Sequence, residues 1–240
     1  MNIVISGASK GLGKALAKEF IKSGDNVIII SRTNLTKTLF ECNSKNISGY
    51  QIDVGNIKQM NKFKNIIKKK FKKVDIFINN AGYSSGYNLF ENMNDKQLNQ
   101  IIVTNLFGSL LLTKKAIEII QNQSSPGHIF FISGSTNNIG YSAYGATKKA
   151  ILQFSINLQK EIKDPNIGIH MISPGMMSTP LLLENLPSQL NNIIKYFIID
   201  PEKVAENIVP RIKKTVSNNK KNDFIRYFDL LNIFKNYIKL

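Results

Sequence analysis

The sequence predicts an α/β fold of the Rossmann type, a single-domain doubly wound parallel sheet with helices on both faces. Three observations predict it. Short apolar runs alternate with longer amphipathic ones along most of the chain. The short runs are apolar throughout instead of alternating, as strands buried on both faces require. A glycine-rich turn joins the first short run to the first long one, where such folds hold a nucleotide.

Each element is justified by its local pattern. The strand-like runs are Ile3–Ile5, Val27–Ile30, Tyr50–Val54, Ile76–Asn79, Ile129–Ile132 and Ile167–Ile172. The helix-like stretches are Gly11–Ser23, Ile57–Phe71, Asp95–Gln121 and Tyr144–Ile162. In Ile57–Phe71, Met60, Phe63, Ile67 and Phe71 form one apolar stripe, and Val74 extends it. The lysines of Lys58–Lys73 lie mainly off that stripe, so the helix packs on the sheet and shows a cationic face. That face is solvated, or it attracts an anionic membrane surface. After Ile172 the rhythm breaks at Pro174-Gly175, and Pro180, Pro187, Pro201 and Pro210 punctuate the remainder of the chain.

No repeat or linker splits the chain. Residues 1–217 are expected to form the domain, with 179–217 on its substrate side. Residues 218–240 are expected to form a basic amphipathic C-terminal extension, because Phe224, Phe228, Leu231 and Ile238 recur near helical spacing. Such an extension would lie in a lipid interface, on the domain, or on another subunit.

Composition narrows the function. A chain of 240 residues with 42% hydrophobic content can bury a core and is not a disordered tail. The lone Cys42 excludes a disulfide framework and a Cys-rich zinc site. His128 and His170 read as strand-edge residues, too sparse for a metal site, and no metal is expected. No run approaches the roughly 18 apolar residues of a transmembrane helix. No signal or transit segment precedes the first strand, so a reducing, cytoplasmic setting is expected. The 32 Lys and Arg against 16 Asp and Glu give a formal charge of +16. Nucleic acid, an anionic membrane or compositional bias would each account for it. Aromatic residues are not interleaved with the lysine run and no recognition module is present, so no nucleic-acid partner is expected.

The turn Ser6–Gly13 places glycines at 7, 11 and 13 between strand and helix. The spacing is G-x-x-x-G-x-G, and it lets a phosphate approach the backbone at a helix N-terminus. Gly7, Ser9, Lys10, Gly11, Leu12 and Gly13 are the candidate cofactor residues there. An acidic residue after the second strand would hold an adenosine ribose; Ser31-Arg32 stands there instead. Lys10 and Arg32 suit a 2′-phosphate, so NADP(H) is expected over NAD(H).

Tyr144 and Lys148 stand at i and i+4 of a helix. An ammonium beside a phenol favours phenolate and should bring the tyrosine pKa down from about 10. Such a pair can protonate the oxygen of a carbonyl that receives hydride. Tyr141 has Gly145 at i+4 and lacks such a partner.

Together, Ser6–Gly13, Asn79-Asn80-Ala81-Gly82, Asn105, Tyr144/Lys148 and Pro174-Gly175 with Thr179 resemble the classical short-chain dehydrogenase/reductases from Met1 to about Thr179. The resemblance implies that Tyr144 is the general acid/base and that Lys148 tunes it and binds the nicotinamide ribose. Asn105 would hold a proton-relay water. Asn80, Ala81 and Gly82 would line the cofactor, with Asp53-Val54 at the adenine and Pro174, Gly175 and Thr179 beside the nicotinamide. The family carries a serine at the end of its fifth strand; here Gly134 stands at that point, between Ser133 and Ser135. Either hydroxyl could bond the substrate oxygen.

A narrower resemblance covers the second half. Asn105–Leu111, Gly127–Phe130, Ser173–Met176, Thr179–Leu182, Asp200-Pro201-Glu202 and Val209–Ile212 look like chlorophyll(ide) b reductases. That resemblance implies NADPH-dependent reduction of the C7 formyl group of chlorophyll(ide) b. Met176, Met177, Leu181, Leu182, Leu183 and Leu186 would wall the substrate, or form ordinary core. The short-chain dehydrogenase/reductase resemblance implies a homo-oligomer, and the basic helix face and tail make a peripheral contact on a photosynthetic membrane one setting. Another carbonyl reductase, such as one acting on 3-oxoacyl carrier protein, and a non-catalytic NADP-binding protein stay open as alternatives.

Overall fold

The computed structural model describes residues 1–134, 139–183 and 198–227. The strands are β1 (Asn2–Ser6), β2 (Asn26–Ser31), β3 (Ile47–Gln51), β4 (Ile76–Asn79), β5 (Gly127–Ile132), β6 (Ile167–Ser173) and β7 (Asn222–Arg226). They form one sheet in the order β3-β2-β1-β4-β5-β6-β7, and every pairing is parallel. The winding reverses between β1 and β4. A crevice therefore opens beyond the C-terminal ends of these two strands, where open α/β sheets bind ligands.

The principal helices are α1 (Gly11–Lys22), α2 (Thr36–Cys42), α3 (Ile57–Lys70), α4 (Asp95–Ile101), α5 (Gly108–Ile120), α6 (Ser142–Glu161), α7 (Pro180–Leu183) and α8 (Pro201–Ser217). Two cores sandwich the sheet. On one face Leu16 and Phe20 of α1 and Val204, Ile208 and Ile212 of α8 meet Ile3, Ile5, Ile29 and Ile78. On the other, Met60, Phe63 and Ile67 of α3, Leu112 and Ala116 of α5 and Ile151 of α6 meet Val4, Ile28, Phe77 and Phe131. Successive strand residues feed opposite cores, which is why these strands read as unbroken apolar runs. Each fully buried Val, Leu, Ile, Met or Phe side chain contributes about 1.5–3 kcal/mol relative to exposure.

Four expectations change. The third strand is Ile47–Gln51, not Tyr50–Val54; Ile52, Asp53 and Val54 turn toward the crevice. The stretch Asp95–Gln121 is not one helix. A π-helical segment, Ile102–Phe107, separates α4 from α5. Asn222–Arg226, expected within a helical extension, forms the edge strand β7 and pairs with β6 from Ile169↔Asn222 to Ser173↔Arg226. The crossover helix α8 brings it there; the rest of the expected extension, from residue 228 on, lies outside the described residues. His128 and His170 are not at strand edges. They lie on the interior strands β5 and β6, fully buried, with His128 Nδ1 3.0 Å from His170 Nε2.

α2, which the sequence pattern does not predict, packs Leu39 onto the α1 core. Glu41 pairs with Lys14 and Lys18, and those two hydrogen bonds hold its carboxyl down at about 2.

Candidate active site

A cleft of about 620 Å³ opens at the crevice. Of the expected site residues, Gly7, Ser9, Lys10, Gly11, Leu12, Arg32, Asp53, Val54, Asn80, Ala81, Gly82, Ser133, Tyr144, Lys148, Pro174, Gly175 and Thr179 line it. Residues from β1, β2, β4, β5 and β6 and their adjoining loops thus meet there. Gly13 and Asn105 do not line the cleft, and Ser135 and Leu186 lie outside the described residues.

The glycine turn is built for a close backbone approach. Gly7 and Gly11 have φ of +67° and +58°, a region costly for other residues. A Cβ on Gly7 would stand 2.6 Å from Ala81 Cα. Gly13 serves packing: a Cβ there would stand 2.5 Å from both Asn80 Nδ2 and the Gly7 carbonyl oxygen. Asn80 Nδ2 donates to the Ser6 and Gly7 carbonyls at 2.9 and 3.0 Å. Ser6 Oγ accepts from the Asn80 and Ala81 amides, both at 3.0 Å. The turn and the end of β4 are thereby stitched together. At the start of α1 no side chain caps the helix, and its first turn carries no acidic residue. These features fit the pyrophosphate of a dinucleotide.

Past β2, Ser31 Oγ donates to Ser9 Oγ at 3.1 Å, and Thr33 Oγ1 donates to Ser9 Oγ at 2.9 Å. Three hydroxyls thus cluster beside Arg32 on the cleft wall. Thr33 is not among the residues expected from sequence; a hydroxyl two residues past Ser31, on the same side of an extended segment, was its only signal.

Tyr144 and Lys148 share a face of α6. Lys148 Nζ donates to the Ile132 carbonyl at 3.2 Å and lies 5.5 Å from the centre of the Tyr144 ring. Burial pushes Tyr144 up to about 12 and brings Lys148 down to about 8. The expected lowering of the phenol by its lysine is therefore reversed. The ammonium bonds a backbone carbonyl under the ring, and desolvation dominates. The phenol stays protonated at neutral pH, as a proton donor must.

Asn105 is buried in the π-helical segment. Its Nδ2 donates to the Tyr83 carbonyl at 2.9 Å and to Thr147 Oγ1 at 3.2 Å, while its Oδ1 accepts from the Tyr83 amide at 2.7 Å. It ties the loop after β4 to α6, with Thr147 one residue before Lys148. Tyr141 lines the cleft with a buried hydroxyl that has no hydrogen-bond partner among the described residues.

Gly134 faces the pair. A Cβ there would lie 2.8 Å from the Tyr144 hydroxyl and 3.1 Å from Lys148 Cγ. Ser133, whose amide bonds the Ile172 carbonyl at 2.8 Å, is the cleft-lining hydroxyl at this strand end among the described residues. Met176, Met177, Leu181 and Leu182 supply an apolar wall opposite, with Leu183 next along α7.

The lysine run that continues past α3 ends elsewhere. Asn2, at the start of β1, donates to the Lys73 carbonyl, which places Lys73 at the N-terminal end of the sheet, away from the cleft. The described residues include no group of three or more His, Cys, Asp or Glu that could hold a metal ion. No helix among them is long and apolar enough to cross a membrane.

Comparison with known proteins gives a consistent set of relatives. The family model for short chain dehydrogenases matches residues 1–189. The chain is 34% identical to a protein of Oryza sativa subsp. japonica named probable chlorophyll(ide) b reductase, chloroplastic, over 93% of this chain and 49% of that one. It is also 34% identical to the Arabidopsis thaliana protein named chlorophyll(ide) b reductase, chloroplastic, over 94% of this chain and 69% of that one. The chain spans about half the length of the first of these relatives. Among solved structures, serine dehydrogenase complexed with NADP+ superposes with a TM-score of 0.81 at 22% identity, covering 96% of this chain and 95% of that one. That likeness concerns the fold.

Proposed function

The chain belongs to the short-chain dehydrogenase family of oxidoreductases, and from that premise we propose that it is an NADPH-dependent carbonyl reductase whose substrate is the C7 formyl group of chlorophyll b or chlorophyllide b. The observation that carries the substrate reading is the extent of the likeness. Identity of 33% to 34% to chlorophyll(ide) b reductases runs over 93% to 94% of the chain, past the family motifs and into the substrate side. Arg32, Lys10 and the hydroxyls of Ser9, Ser31 and Thr33 support the phosphorylated cofactor.

Bound NADPH would supply a hydride to the formyl carbon. The residues of the chain do the rest. Tyr144 donates its proton to the formyl oxygen, completing the 7-hydroxymethyl product. Lys148, held by the Ile132 carbonyl, keeps a positive charge beneath the phenol as negative charge develops on it. Ser133 donates a hydrogen bond to the same oxygen, while Met176, Met177, Leu181 and Leu182 exclude water along the macrocycle. The protein acts as a homo-oligomer and meets a photosynthetic membrane peripherally. Co-sedimentation with anionic liposomes and the solution mass read those two points directly.

Incubation with NADPH and either pigment, followed by chromatography, should yield the 7-hydroxymethyl derivative. No product from solubilised pigment, alongside turnover of 3-oxoacyl substrates, would move the reading to a 3-oxoacyl reductase. That second reading has its own support in a 34% identical 3-oxoacyl-[acyl-carrier-protein] reductase of Buchnera aphidicola, matched over 79% of this chain.

Gly134 offers a sharper check of the site. Gly134→Ala should displace the Tyr144 hydroxyl and lower kcat by about tenfold to a hundredfold, with cofactor binding kept. Steady-state kinetics beside NADPH fluorescence titration measure both.

A further inference from the structure

Arg32 is exposed to the cleft, yet its guanidinium is held from outside the nucleotide turn. With its amide oxygen facing the arginine, Gln100 of α4 accepts from both terminal nitrogens, at 2.6 and 2.7 Å. Gln51 Nε2 donates to the Arg32 carbonyl at 3.0 Å, so backbone and side-chain tip are both fixed. Gln100 lies outside the glycine turn, strand ends and Tyr/Lys motif that define the site in sequence, and it is not among the cleft-lining residues.

The chemistry of the contact has a direction. One carbonyl oxygen bridging the two terminal nitrogens leaves the remaining N–H donors of the guanidinium for an anion. A free arginine side chain gives up much rotamer freedom when it grips a ligand; one already held gives up less. A neutral amide orders the cation without offsetting its charge, as a carboxylate would. The Ser9, Ser31 and Thr33 hydroxyls beside it are likewise linked to one another before any ligand arrives.

We propose that Gln100 is a positioning residue that holds Arg32 for the adenosine 2′-phosphate, and so sets the preference for the phosphorylated dinucleotide. The proposal rests on the NADPH reading of the site. It places a determinant of cofactor choice on α4, in direct contact with the strand end where sequence motifs locate that choice.

Calorimetric binding of adenosine 2′,5′-bisphosphate and of 5′-AMP to the full chain tests it without turnover. KM values for NADPH and NADH run in parallel. Gln100→Ala should weaken the bisphosphate by about threefold to tenfold, the range for one lost hydrogen-bonded support of a charged group. Binding of 5′-AMP and the KM for NADH should stay unchanged. Gln100→Glu should weaken the bisphosphate further, because its charge opposes the phosphate. Arg32→Ala should remove the preference for the bisphosphate altogether. Should Gln100→Ala not fold, Gln100→Met keeps the length without the acceptor and carries the same expectations. Wild-type bisphosphate binding by the Gln100 variants, with a loss in Arg32→Ala, overturns the role of Gln100 and leaves the cofactor reading standing. Equal weakening of 5′-AMP and bisphosphate shows a general structural role and also overturns it. No effect of Arg32→Ala on the bisphosphate defeats the NADPH reading and this proposal together.

Discussion

Tyr144→Phe is expected to lower kcat for carbonyl reduction by about a thousandfold, within the range for losing a general acid. The variant keeps the ring that lies against Lys148 and loses the hydroxyl alone. NADPH affinity should therefore stay within about twofold, since the ring itself still fills its place. Rapid-mixing kinetics under saturating cofactor, with fluorescence titration of NADPH, separate the two quantities. Lys148→Met should fall in the same direction and also weaken cofactor binding, because that ammonium is held in the cleft wall by the Ile132 carbonyl. The pH profile adds a second expectation. Tyr144, raised to about 12 by burial, remains a protonated donor across the working range, whereas Lys148, lowered to about 8, loses its charge as pH rises through that value. Reduction should accordingly decline above about pH 8 through the lysine and not the tyrosine.

The second large effect concerns stability in acid. His128 and His170 are the chain's only two histidines, both fully buried, and each has one ring nitrogen without a partner among the described residues. Burial lowers His128 to about 4, helped by Lys221 and opposed by Asp75. Burial lowers His170 to about 3, helped by His128 and opposed by Asp223. Unfolded, both titrate near 6.5. Above pH 6.5 both states are neutral and the pair adds no pH dependence. Below it the unfolded chain takes up protons that the folded chain refuses, so stability falls with pH until about 4 and about 3. The slope approaches about 1.4 kcal/mol per pH unit for each histidine. Urea titrations from pH 7.5 to 5 should show this loss before most carboxylates titrate. His170→Gln should remove about half of the slope. An unchanged slope would place the acid sensitivity elsewhere.

The glycine turn, the Tyr144/Lys148 spacing and the strand rhythm are local patterns fixed by helix and strand periodicity, so they were readable directly. The resemblance they carried pointed to the family that the comparisons show. Arg32 and Lys10 were readable as charges at known points of a βαβ unit. Other features depend on residues far apart in sequence. The bonds of the Asn105 amide to Tyr83 and Thr147 are one case, as is the π turn into which an apparently continuous helix opens around it. Residues 222–226 read as part of an amphipathic helix, yet the free edge of β6 takes them as a strand. Edge pairing outweighs local spacing because it satisfies a whole row of backbone groups.

Sequence by itself determined the doubly wound class, the glycine turn after the first strand and the placing of Tyr144 and Lys148 on one helix face. These depend on periodicity, backbone permissiveness and side-chain chemistry, which are properties of neighbours along the chain. Tertiary structure alone decided the direction in which Tyr144 and Lys148 are shifted, the pairing of His128 with His170, and the hold of Gln100 on Arg32. Those arise from desolvation and from contacts across the sheet and cleft. Both act at distances of a few ångströms in space between groups whose separation along the chain carries no such information.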